Sequence, residues 1–278
     1  MMESVFHGVP GKINIIDTHF HIWNLATQRL TWLDTVDSSL NRTFTMADYE
    51  EAYSHFAQNH PINFLGGIYV DADVTDPLLE DRLLYEITSP KLLATMNRTT
   101  ISPYMRIPVT ATGVRDPLHT NDSPRGRCLE PDFIQGLQIL ADRNLIFESC
   151  NRVAELDDLY IALRQVPQLK VVLNHLGNPG ELTTEYMNSM RNLASLPNLY
   201  CKVSGFATAE KSYVQELLDF VTDTFSPRHV MYASNWPVVS LYSSFEEHLE
   251  ILLDRFGSDE DFFWRNAQRV YGISFADR

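Results

Sequence analysis

Three cysteines in 278 residues, Cys128, Cys150 and Cys201, are odd in number, widely spaced and without a CxxC pair. They support neither a disulfide framework nor a thiolate zinc cluster, and a reducing cytoplasm fits them best. No run approaches the roughly 18 apolar residues that a membrane-spanning helix needs. The opening MMESVFHGVPGK has no basic segment followed by an apolar stretch, so secretion is not expected either. Basic residues are the minority, 22 against 36 acidic, and the net charge of -14 argues against nucleic acid or an anionic membrane as the main partner. Low-complexity segments and linkers rich in Pro, Gly or Ser are missing, which removes the usual marks of disorder and of a domain boundary. With 44% hydrophobic residues the chain can bury a large core.

Short β-branched or apolar runs alternate with amphipathic stretches. KINIIDTHFHIW reads as a first strand and FTMADYEEAYSHFAQNH as a helix with Thr45 or Asp48 near its start. NFLGGIYVDAD is the second strand, and DPLLEDRLLYEIT a helix opened by Asp76 and Pro77, a cap followed by a first-turn proline. KLLATMNRTTISPYMRIPVTATGVRD holds the third and fourth strands with an irregular or poorly helical connection. LIFESC, KVVLNHLGNPG, NLYCKVSG and HVMYASNWP supply the remaining four, each preceded by a helical pattern, and two more helices close the chain. Eight such units without a linker indicate a single α/β domain over residues 1–278, a (β/α)8 TIM barrel. The rival, an open doubly wound sheet, gets no support because no GxGxxG follows the first strand.

Residues two apart in a strand share a face, so His19 and His21 of DTHFH project together into the mouth of such a barrel. Paired imidazoles suit a divalent metal, zinc above all, although an HxH alone is weak evidence. His175 ends the sixth strand run and Asn235 the eighth, both at the C-terminal face where barrel active sites are built. His7, His55, His60, His119, His229 and His248 lie outside these runs and read as surface or packing residues.

DTHFHIWN, GVRD at residues 113–116, LNHLGNP, YCKVSG, ASNWP and NAQRVYGI occur in the order of the landmarks of the amidohydrolase-related proteins. The chain resembles that family, which includes L-fuconolactonase-like and pyrone-dicarboxylate lactonases, from Asp17 to Ile273. The resemblance implies a barrel hydrolase that opens sugar-acid or dicarboxylate lactones, with a metal in some members and none in others. More distant relatives are metal-dependent decarboxylases, and a silent ligand-binding relative is the third reading. By position, His19, His21, His175 and Asn235 match the implied metal set, with Asn235, His175 and Arg115 as the catalytic group.

Asn235 stands where the family has the aspartate of GSDWP, a change, natural or engineered, that removes a general base generally worth about 10²–10⁴-fold in rate. Asn174 and Asn178 replace the Asp and Lys of DHLGKP. Arg115, Lys202 and Glu148 are expected to face the substrate, Lys202 neutralising an anion and Glu148 acting as a ligand, a replacement base or an ion-pair partner; Asp71 is similar. Trp23, Trp236 and Tyr69 are expected to wall the pocket. The implied partner is a small, anionic lactone, and a homo-oligomer is compatible with the sequence.

Overall fold

The computed structural model describes residues 9–206 and 210–275. His7 therefore lies outside the described residues. Eight parallel strands run in sequence order, β1 (Ile13–Phe20), β2 (Ile62–Val70), β3 (Leu92–Arg98), β4 (Gly113–Asp116), β5 (Ile146–Ser149), β6 (Val171–Leu173), β7 (Leu199–Val203) and β8 (Val230–Tyr232). The ring closes just beyond the strand ends, where the Asn235 amide donates to the His19 carbonyl at 2.9 Å and the His21 amide to the Trp236 carbonyl at 2.8 Å. This is the TIM barrel expected from the alternating pattern.

Eight α-helices are described: α1 (Met46–Phe56), α2 (Pro77–Glu86), α3 (Pro131–Asp142), α4 (Leu156–Leu163), α5 (Thr184–Ala194), α6 (Lys211–Thr224), α7 (Phe245–Phe256) and α8 (Asn266–Tyr271). α1 starts where its capping box places it: the Asp48 amide donates to the Thr45 hydroxyl and the Asp48 carboxylate takes the Thr45 amide. Asp76 caps α2 with Pro77 in its first turn. No α-helix links β3 to β4 among the described residues, in keeping with the irregular connection expected there. None of the described helices is long and apolar enough to cross a membrane.

The barrel interior is filled by Ile16, Ile68, Val70, Met96, Val172 and Met231, and it packs against Trp264, Val270 and Tyr271 from the C-terminal helical segment. Burying a side chain of this size contributes about 1.5–3 kcal/mol. A larger apolar layer, including Phe133, Leu137, Leu159, Met190, Leu217 and Leu249, fills the space between strands and helices.

One buried carboxylate fastens the two ends of the ring. Asp17, fully buried, accepts hydrogen bonds from the His19 amide (3.0 Å), the Ser234 amide (2.9 Å) and hydroxyl (2.5 Å), and the hydroxyls of Tyr49 (2.8 Å) and Tyr53 (3.0 Å). β1, β8 and α1 thus meet at one residue, immediately beneath the loop that carries Asn235. Burial raises its pKa while these donors pull the other way.

Candidate active site

The strand ends deliver polar side chains to one mouth. A cavity of about 300 Å³ opens there, bounded among others by His21, Asp71, Arg115, His175, Asn178 and Asn235. Six of the residues singled out from the sequence, His21, Asp71, Arg115, His175, Asn178 and Asn235, converge on it. His19 stands directly behind, its Nε2 3.1 Å from Nε2 of His21 and its ring centroid 4.4 Å from that of His175.

Backbone conformation places two of these groups. His175 and Leu176 both have positive φ, 51° and 54°, a strained arrangement for side-chain-bearing residues at the end of β6. Gly205 makes room for it, since a Cβ there would lie 2.8 Å from the Cβ of His175. Asn235 also has positive φ, 58°, a region that Asn and Asp enter more readily than most residues.

Burial keeps the imidazoles neutral. It pulls His21 down to about 4, reinforced by the nearby Arg115 guanidinium, and it holds His19 and His175 well below their usual value. The tautomers follow from their partners. His21 Nδ1 sits 2.9 Å from the Val70 carbonyl and must donate to it, which leaves Nε2 with a lone pair. His19 Nδ1 is 3.3 Å from the Lys202 ammonium, a group with donors only, so its proton is on Nε2 and points to His21.

Asn235 adjoins this group. Its side chain lies between His21 Nε2, 3.3 Å away, and the Tyr242 hydroxyl, 3.2 Å away. The amide oxygen faces His21 Nε2, and the amide NH2 donates to the Tyr242 hydroxyl.

Arg115 on β4 is buried and held through Nη1 by the Asp71 carbonyl (2.9 Å) and carboxylate (3.1 Å). Asp71 and the other charges around it keep the guanidinium protonated despite its burial. Its Nε is buried without a hydrogen-bond partner, and the residue borders the cavity. An orphaned buried donor of this kind costs about 1–3 kcal/mol.

Lys202 and Glu148 sit elsewhere than expected. Both are fully buried beneath the histidines, with Lys202 Nζ 2.6 and 2.7 Å from the two Glu148 oxygens. Neither bounds the cavity. Glu148 also accepts from the Tyr271 hydroxyl at 2.6 Å and the Asn174 amide at 2.9 Å. This accounts for Asn174, because an aspartate there would set a second carboxylate against Glu148. Burial pulls the lysine down to about 8, opposed by Glu148, so it remains a cation at neutral pH.

The aromatic expectations change as well. Trp23 is buried with its indole donating to the Arg42 carbonyl, Trp236 packs against Phe44 and Tyr49, and Tyr69 is bonded to Glu80 behind the strand. Trp32 is the tryptophan on the cavity wall, anchored by its indole to the Ala72 carbonyl at 2.9 Å. It lies in the long loop after β1, where no periodicity points to it. Of the histidines set aside, His248 is buried and bonded to the Ala233 carbonyl, whereas His119 stands at the cavity rim.

The donor set does not suit a tightly held metal. Two imidazole nitrogens sharing a tetrahedral zinc at about 2.0–2.1 Å from each would have a spacing near that of His19 and His21. The tautomer is wrong, however, since a ligand histidine ordinarily donates its other nitrogen to a carbonyl or carboxylate, and His19 faces an ammonium. No group of three or more His, Cys, Asp or Glu residues that could hold a metal occurs among the described residues. The purified chain is expected to carry far less than one zinc per molecule by mass spectrometric metal analysis. Its melting temperature should not move on chelation. A stoichiometric, chelator-resistant metal would show that Lys202 is displaced or neutral in solution.

The comparisons agree with this architecture. Residues 109–273, more than half of the chain, match the amidohydrolase family model. An amidohydrolase 2 from Bifidobacterium longum subsp. infantis of known structure is 46% identical, with TM-score 0.86 over 95% of this chain and 100% of that one. A Burkholderia multivorans amidohydrolase crystallised with bound zinc shares the fold at 21% identity and TM-score 0.80, over 94% of this chain and 99% of that one. The L-fucono-1,5-lactonase of Burkholderia ambifaria is 23% identical over 84% of this chain and 83% of its own. With its eight parallel strands and its polar residues gathered at the strand ends, this chain belongs to the amidohydrolase family.

Proposed function

We propose that the protein is a hydrolase that opens the ester bond of a small lactone of a sugar acid or dicarboxylic acid. The observation that carries the reading is the buried Arg115, with an unpartnered Nε–H, bordering the cavity at the strand ends. A guanidinium fixed in this way polarises a carbonyl or grips a carboxylate, and a lactone acid offers both. Neutral His21 and His175 and the amide of Asn235 accept from or donate to ring hydroxyls without adding charge. The lactonase-named relative supports the choice of bond.

Asn235 leaves the aspartate's role to other groups. The test is turnover of the chain as it stands and of Asn235→Asp on a panel of sugar-acid and dicarboxylate lactones, followed by proton release. Hydrolysis of at least one by the unaltered chain is expected. In Asn235→Asp, the new carboxylate should raise the pKa of His21 above 4, read by NMR titration of the imidazole. The reading fails if neither form hydrolyses a lactone and no lactone acid raises the melting temperature.

A further inference from the structure

Cys150 follows the last residue of β5 and shares the inward face of Glu148. It is 1% exposed, yet it lines the cavity together with Arg115, His119, His175 and Asn178. The Asn178 amide is 3.5 Å from Sγ, and His119 and Arg115 border the same cavity, close enough for their charges to act on the sulfur. The other two cysteines have no such company; Cys201 lies in β7 and Cys128 takes one amide contact from Asn151.

We propose that Cys150 is the covalent nucleophile of this site, with His119 as its proton partner and the Arg115 guanidinium as the donor to the oxyanion. The inference rests on the lactone-opening reading for its substrate, but the reactivity of the thiol stands without it. Asn178, in the place of the family's lysine, then acts as a neutral donor beside the sulfur.

The reaction balances as an acyl transfer to water. The Cys150 thiolate attacks the lactone carbonyl carbon, and the carbonyl oxygen becomes an oxyanion facing Arg115. Collapse breaks the ring C–O bond, the departing alkoxide takes the proton from the His119 imidazolium, and a thioester to Cys150 remains. Neutral His119, at the exposed rim, takes a proton from water as the water attacks the thioester. The C–S bond breaks, the thiolate and imidazolium are restored, and the hydroxy acid leaves. One lactone and one water are consumed, with no oxidant or reductant.

Electrostatics support the assignment. Burial alone would push the Cys150 thiol up, but His119, Arg115 and the Asn178 donor outweigh it and bring it down to about 6. Cys128 and Cys201, buried without cations, are pushed up to about 12. The thiolate in turn raises His119. The other charged or titratable groups around the site are neutral His21 after β1, Asp71 and Asp73 after β2, and neutral His175 after β6. Glu148 on β5 is occupied by Lys202.

The test begins on the intact folded chain without any substrate. Iodoacetamide labelling between pH 5 and 10 is read by peptide mass spectrometry, alongside thiolate absorbance. Cys150 should label alone, with half-maximal rate near pH 6, and His119→Asn should move that midpoint upward toward the ordinary thiol range. Absence of thiolate absorbance below pH 8, or no labelling of Cys150 in the folded chain, overturns the proposal whatever the substrate. With a lactone that the chain hydrolyses, Cys150→Ser and Cys150→Ala should each lower kcat at least 10³-fold, and His119→Asn should accumulate a thioester of the lactone's mass on Cys150. Cys150→Ala retaining a rate within tenfold of the parent also overturns it. A chain that labels as expected but hydrolyses no lactone leaves the nucleophile standing and refutes the substrate reading.

Discussion

Replacing Lys202 by methionine is expected to destabilise the protein by about 3–5 kcal/mol, the usual effect of removing one member of a buried ion pair. The pair has no access to water: Lys202 and Glu148 are both fully buried, at 2.6 Å. Methionine fills similar volume but leaves the Glu148 carboxylate with only the Tyr271 hydroxyl and Asn174 amide as donors. For a domain of this size the melting temperature should fall by about 10 °C. Lys202→Met combined with Glu148→Gln should recover most of the loss, because no uncompensated charge is then left in the barrel. Denaturant unfolding of the two single variants and the double variant measures the coupling directly. If Lys202→Met unfolds within 1 kcal/mol of the parent, the pair is not closed in solution.

The second large effect concerns turnover. Arg115→Lys keeps a cation beside the buried Asp71, so the fold should survive, but lysine has no counterpart to the planar, multi-donor guanidinium that borders the cavity. Loss of a single fixed donor to a developing oxyanion lowers kcat by about 10²–10³-fold. KM should change less, since the positive charge is kept. Steady-state kinetics on the best lactone of the panel separate the two. A lysine variant with the parent's kcat would place Arg115 in charge balance with Asp71 alone and take the carbonyl role away from it.

Much of the site was legible in local patterns. His19 and His21 are two apart in one strand, so they share a face wherever that strand goes. His175 and Asn235 end apolar runs, and the C-terminal ends of parallel strands share one face of a barrel. Arg115 was found by the GVRD landmark, and its burial followed from the strand that carries it.

What local pattern could not show is who meets whom across the barrel. Lys202 and Glu148 are 54 positions apart, and only the register of β5 and β7 through β6, with Glu148 beside Val172 and Cys201 beside Leu173, brings them to one level. The sequence alone offered both as substrate contacts; the structure gives each to the other. His119 and Cys150 have no motif around them, and they are neighbours because the loop after β4 folds over the end of β5.

Eight alternating strand and helix patterns and the residues at their ends therefore determined the barrel and which face carries chemistry, because periodicity and strand direction are properties of short stretches. Tertiary structure alone decided protonation, pairing and exposure: the tautomer of His19, the closed Lys202–Glu148 pair and the cations around Cys150. Each depends on distances between groups from different strands, at a depth where little water remains to screen them.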